Sequence, residues 1–97
     1  MFLVITTYQK SIDQIEKFLP AHSAFLDNYY ASKQIIFSGR RNPRIGGMIL
    51  FNVEKQSDVL AIIEKDPFNV NGIAKYELFE FIPTKYDKDF EKFIHLN

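Results

Sequence analysis

The segment FLVITTY, Phe2 to Tyr8, constrains this chain more than any other. It is rich in β-branched and aromatic residues, so it reads as a strand. Side chains alternate between the two faces of a strand, and here Phe2 with Val4 and Leu3 with Ile5 are all apolar. Both faces of that strand therefore need cover.

The rest of the chain supplies one layer of cover. Ser11 is placed to cap a helix, with Gln14 three residues on as in a capping box. Ile12, Ile15, Leu19, Leu26 and Tyr29 follow at helical spacing, and the helix is expected to end near Ser32. Pro20 interrupts the pattern and predicts a kink, or a restart with Pro20 in the first turn of a second segment. Gln34 to Arg41 and Gly46 to Val53 read as two strands joined by the polar loop RNPRIG. Ser57 is expected to begin a second helix with Val59, Leu60, Ile62 and Ile63 on one side, stopping at the Lys65-Asp66-Pro67 run. Ala74 to Ile82 form a last strand, ended by Pro83.

This order, β-α-β-β-α-β, is the split arrangement of an α+β ferredoxin-like fold, with helices on one face of an antiparallel sheet. The domain is expected to span residues 1–83. Residues 84–97 are expected to form a helical C-terminal extension, capped at Asp87 with Phe90, Phe93 and Ile94 on one side. In the last strand Phe79 and Phe81 alternate with Tyr76 and Leu78, so its second face is apolar as well. Ten Phe and five Tyr are much apolar surface for so short a chain to hide. Another subunit is the expected cover, giving a homodimer with sheets face to face.

Composition excludes several functions. Twelve basic and twelve acidic side chains leave no net charge, which argues against a broad nucleic-acid footprint. Exposed aromatics on such a sheet can bind single-stranded RNA, but no basic-aromatic motif accompanies them, and a dimer would occupy the sheet. Cysteine is absent, which removes thiolate nucleophiles and Cys-based metal sites. Two histidines far apart, with no carboxylate cluster, give no metal signature. Gly46 and Gly47 do not stand at phosphate-loop spacing. No apolar run approaches about 18 residues, and MFLVITTYQK lacks the features of a signal peptide, so a cytoplasmic protein without a membrane span is the expectation.

Two residues carry the candidate chemistry. His22 falls within the apolar stripe of the first helix. An inward imidazole can exchange protons near neutral pH if a cavity admits substrate, or it can be a core histidine bonded to a backbone carbonyl. Asp66 stands at the negative end of the second helix, where the dipole disfavours its charge. It can cap a short turn that Pro67 opens, accepting from the amide of Phe68 or Asn69. It can also orient an imidazole, and the roles are compatible. Ser38 is a candidate polar lining residue, not a nucleophile, because no base accompanies it. Gly39 permits close approach of ligand or backbone. Arg40 or Arg41 can bind a carboxylate through two parallel bonds, or simply be solvated.

The stretches LPAHSAFLDNYYASKQIIFSGRRNP and GGMILFNVEKQSDVLAIIEKDPF, with the last strand ending at Pro83, resemble the YCII-related (YciI-like) family. The resemblance covers roughly residues 1–83 and rests on His22, Gly39 and the Asp66-Pro67-Phe68 run together. It implies a dimeric α+β barrel of ferredoxin-like protomers, with a His–Asp pair, here His22 and Asp66, in a pocket of each, and Pro67 and Phe68 among its substrate-binding positions. Some family relatives perform elimination or isomerisation on small cyclic acids or phenols. Where the family often has Gly-Pro after the second strand, this chain has Gly39-Arg40-Arg41, a departure that points to an anionic ligand.

Two functions follow as expectations. One is a cofactor-independent lyase or isomerase in which His22 moves a proton and Asp66 orients its ring. The other is a non-catalytic dimer that binds a small metabolite or a protein partner.

Overall fold

The computed structural model describes residues 1–94. The chain runs β1 (Phe2–Tyr8), α1 (Ile12–Ala31), β2 (Ile35–Arg40), β3 (Gly46–Phe51), α2 (Gln56–Lys65), α3 (Pro67–Val70) and β4 (Ala74–Glu80). The expected β-α-β-β-α-β order is present, with the one-turn helix α3 inserted before β4. A 3-10 turn, Lys88–Phe90, and α4 (Glu91–Ile94) end the described chain. Asp87 caps that turn by accepting from the Asp89 amide at 2.9 Å. The last three positions of the expected helical tail lie outside the described residues.

The four strands form one antiparallel sheet in the order β2-β3-β1-β4. Register explains the doubly apolar first strand. Phe2, Val4 and Thr6 sit opposite Phe51, Ile49 and Gly47 on one side and Glu80, Leu78 and Tyr76 on the other. This face meets the helices. Phe2, Val4, Ile49 and Phe51 pack there with Leu26 of α1 and Val59, Ile62 and Ile63 of α2. Each such buried side chain contributes about 1.5–3 kcal/mol of transfer free energy. A second cluster, Ile15, Phe68, Ile73 and Ala74, lies on the same side, and Tyr76 packs against both.

The opposite face is different. Leu3 aligns with Leu50 and Phe79, and Ile5 aligns with Met48 and Glu77. Phe37 is 52% exposed, Phe79 49% and Met48 36%, so much of this apolar face is open, although Leu50 within it is buried and Asn52, just beyond β3, donates to the Phe93 carbonyl of α4 at 3.0 Å.

Local signals account for the helix ends. Ser11 accepts from the Gln14 amide at 3.4 Å, and Ser32 is the C-terminal cap of α1. Three expectations need correction. The helix does not restart at Pro20: α1 is unbroken from Ile12 to Ala31. A proline inside a helix costs about 3 kcal/mol. Ile15 before it and Leu26 after it are both buried against the sheet, and that packing offsets the cost. Ser57 does not open α2, which begins at Gln56 with Lys55 at the cap position and no side-chain cap bond. Leu60 leaves the buried side of α2 and is 47% exposed, whereas Val59, Ile62 and Ile63 keep the i, i+3, i+4 seam.

Candidate functional site

His22 and Asp66, 44 residues apart in sequence, meet beneath α1: His22 Nδ1 lies 2.7 Å from Asp66 Oδ1. The helical stripe that places Ile15 and Leu26 in the core turns His22 the same way, and its side chain is 13% exposed. Asp66 comes from the corner between α2 and α3. Its backbone amide donates to Ile63, closing α2, while its Oδ1 accepts from the Phe68 amide at 2.9 Å, capping α3. Pro67 occupies the first position of α3, where its missing N–H costs nothing. The awkward acid at a helix end is thus the cap of the next helix and the partner of the imidazole at once.

A carboxylate at 2% exposure needs compensating donors. Oδ1 has two, the Phe68 N–H and the His22 ring. An ionised carboxylate only accepts, so Nδ1 carries a proton and the other ring nitrogen, Nε2, is left with its lone pair in the neutral imidazole. Phe68 holds the ring from the side: the two ring centroids are 4.0 Å apart with planes 3° from parallel. Tyr8 meets Phe68 edge-on at 6.3 Å. One residue therefore fixes the carboxylate through its amide and the imidazole through its face.

His22 lines a cavity of about 210 Å³ between α1 and the sheet. Leu19 and Leu26 of α1, Ile49 of β3 and Phe68 supply apolar wall. Ser38, Gly39 and Arg40 of β2 line it as well, whereas Pro67 does not. Ser38 Oγ lies 2.5 Å from the Tyr30 hydroxyl. Gly39 contributes backbone, and a Cβ built there meets nothing within 4 Å. The two arginines separate: Arg41 donates to the Thr6 carbonyl at 3.4 Å and to Thr7 Oγ1 at 3.1 Å, tying β2 to β1, while Arg40 reaches the cavity.

Some features were not legible in the sequence. Thr6 Oγ1 accepts from the Gly47 amide at 2.8 Å, and a Cβ at Gly47 would lie 2.8 Å from the Gly39 carbonyl oxygen. Gly47 is required by this close strand contact in the cavity floor, and only the register reveals it. Tyr76 is the other. Its hydroxyl is buried and, among the described residues, has no hydrogen-bond partner. Burial first, and then the neighbouring Asp66 carboxylate, push its phenol above the ordinary tyrosine range, so it stays protonated. The hydroxyl lies beside the carboxylate without a formed bond, an interaction weaker than the two that Oδ1 accepts. No group of three potential metal ligands occurs among the described residues, and no described helix is long and apolar enough to cross a membrane.

Fold and site together define a ferredoxin-like α+β domain with a buried imidazole–carboxylate pair opening on a small cavity. The chain belongs to the YCII-related domain family, whose profile matches residues 1–82. Among solved structures it is similar to 5-chloro-2-hydroxyhydroquinone dehydrochlorinase (TftG) from Burkholderia phenoliruptrix AC1100, in complex with 2,5-dihydroxybenzoquinone. That likeness has a TM-score of 0.68 at 19% identity, over 92% of this chain and 98% of the other, and it concerns the fold. No curated protein matches the chain.

Proposed function

We propose that this protein is a cofactor-independent enzyme of lyase or isomerase type acting on a small cyclic molecule. The observation that carries the reading is the 2.7 Å contact between His22 Nδ1 and a buried carboxylate, on a ring that lines a cavity. Nε2 takes a proton from an acidic C–H of the substrate. Asp66 holds the ring in the tautomer that makes Nε2 basic and stabilises the imidazolium that forms. The electron pair of the broken C–H bond becomes a new π bond. In a lyase it expels a leaving group from the adjacent carbon; in an isomerase the imidazolium returns the proton at another position. Neither route needs an oxidant. That TftG is a dehydrochlorinase, in complex with a small quinone, supports the choice of reaction type and of a ring-sized substrate.

The reading includes a homodimer. Phe37, Met48, Phe79 and Phe81 stand exposed on the sheet face turned away from α1 and α2, and a second copy with the same face is its self-complementary cover.

The test is turnover, or exchange of substrate C–H for deuterium, over a panel of halogenated and hydroxylated ring compounds. A folded His22→Ala variant is expected to lose about 10²–10⁴-fold, the usual contribution of a general base. Undiminished turnover in that variant refutes the assignment. Ligand binding with neither turnover nor exchange supports the non-catalytic binding module instead.

A further inference from the structure

The cavity has two chemically different ends, and the second bears on what it binds. Among the described residues no carboxylate lines it: Asp66 stands behind His22, outside the wall. Arg40, at the end of β2, does line it. The other arginines are engaged, Arg41 on Thr6 and Thr7, and Arg44 with Glu16 at 3.2 Å. The Arg40 guanidinium makes no hydrogen bond or ion pair among the described residues, so its five N–H donors are free to take a ligand. Its partner across the ladder is Gly47, which puts no side chain beside it.

Ser38 shares this end. Residues two apart on a strand point to the same face, and Ser38 and Arg40 both line the cavity. If the Tyr30 hydroxyl donates across the 2.5 Å contact, the Ser38 O–H is released to donate inward. A guanidinium fork and a hydroxyl donor then face the same space, with no competing acceptor charge. The remaining wall is apolar, from Leu19, Leu26, Ile49 and Phe68. At about 210 Å³ the space exceeds the ~150 Å³ cavity that holds a benzene ring.

We infer that Arg40 and Ser38 form a carboxylate-binding end of this cavity, and that its ligand is a ring-bearing carboxylate whose ring lies against Leu26 and Phe68. The inference names a substrate class for the proposed enzyme, and rests on that reading only for what happens at His22. The planar guanidinium matches a carboxylate through two parallel bonds, and charge-assisted bonds of this kind are about twice as strong as neutral ones. A neutral amide of the same shape loses that match.

The experiment is calorimetric titration with benzoate and with its neutral isostere benzamide, at low salt, on wild type, Arg40→Gln, Ser38→Ala and His22→Ala. Arg40 and Ser38 are exposed, so these variants test the ligand contact without disturbing the core. Wild type is expected to bind benzoate at least about tenfold more tightly than benzamide. Arg40→Gln brings that ratio to about one, Ser38→Ala lowers it several-fold, and His22→Ala retains it. Equal affinity for the two probes, binding of neither, or a ratio unchanged in Arg40→Gln overturns the inference. Failure of the proton-transfer reading would appear in turnover and leave these ratios intact. Failure of the carboxylate end would appear in the ratios, whatever the turnover.

Discussion

Replacing Asp66 by Asn and by Ala separates its two duties. The side chain caps α3 through the Phe68 amide and holds His22 through Nδ1, both with Oδ1. Asn is about as good a cap as Asp, so Asp66→Asn keeps the turn and is expected to cost no more than about 1 kcal/mol. Ala removes the cap, worth about 1 kcal/mol, and leaves the Phe68 N–H and the His22 ring without their acceptor. A buried donor left unmet costs about 1–3 kcal/mol, so Asp66→Ala is expected to lose about 3 kcal/mol in all. For a domain of this size each kcal/mol lowers Tm by about 4–8 °C. The Ala variant should therefore melt at least about 12 °C lower, and the Asn variant less than about 8 °C lower, at one fixed protein concentration. Chemistry should order differently. An amide can donate to Nδ1 as well as accept from it, so Asn no longer enforces the Nδ1–H tautomer, and turnover should fall by up to about 10⁴ in both variants. Imidazole ¹⁵N spectra of His22 read the tautomer directly, without substrate. Equal melting losses in the two variants, or an unchanged His22 tautomer in Asp66→Asn, would refute the division of labour.

Tyr76→Phe removes a buried hydroxyl that has no hydrogen-bond partner among the described residues, and stability below about pH 10 should stay level or rise by up to about 1 kcal/mol. The folded phenol titrates above its unfolded counterpart, so the neutral form belongs to the folded chain. Above about pH 10 the unfolded chain releases this proton and the wild type loses up to about 1.4 kcal/mol per pH unit, a slope that urea unfolding should find missing in Tyr76→Phe. Gly46→Ala would set a Cβ 1.8 Å from the Thr6 carbonyl oxygen, a backbone atom that cannot yield cheaply. It should lower stability by about 3 kcal/mol or more in the same assay. Phe79→Asp, at an exposed position of the sheet face turned away from α1 and α2, should yield a folded monomer in sedimentation velocity; a wild type already monomeric at every concentration removes the proposed homodimer.

Where local rules acted alone, the sequence was readable. Ser11 with Gln14 marked the start of α1, and alternation marked both faces of β1. The errors lie where tertiary packing outweighs a local rule. Pro20 is a helix breaker by propensity, but α1 continues unbroken past it, with buried residues on both sides. Leu60 is apolar and yet exposed, because apolarity in a sequence does not specify which arc of a helix meets the sheet. The site was half legible. His22 was marked by its place in an apolar stripe and Asp66 by its poor fit to the helix dipole, but their meeting is a contact across 44 residues. Gly47 and Tyr76 carried no local mark, since the pairing of β1 with β3 and β4 alone brings them to Thr6.

The strand order β2-β3-β1-β4 also divides the molecule in an unexpected way. The first half of the chain supplies β1 and β2, which are not neighbours; the second supplies β3 and β4, which are not neighbours either. A chain nicked in the turn between β2 and β3 would give two fragments, neither with a single strand pair of its own. Each could build a ladder only by interleaving with the other. His22 travels with one fragment, and Asp66, Phe68 and Tyr76 with the other. The imidazole proton would thus act as a sensor of complementation, locked on Nδ1 only when the two pieces had zipped together.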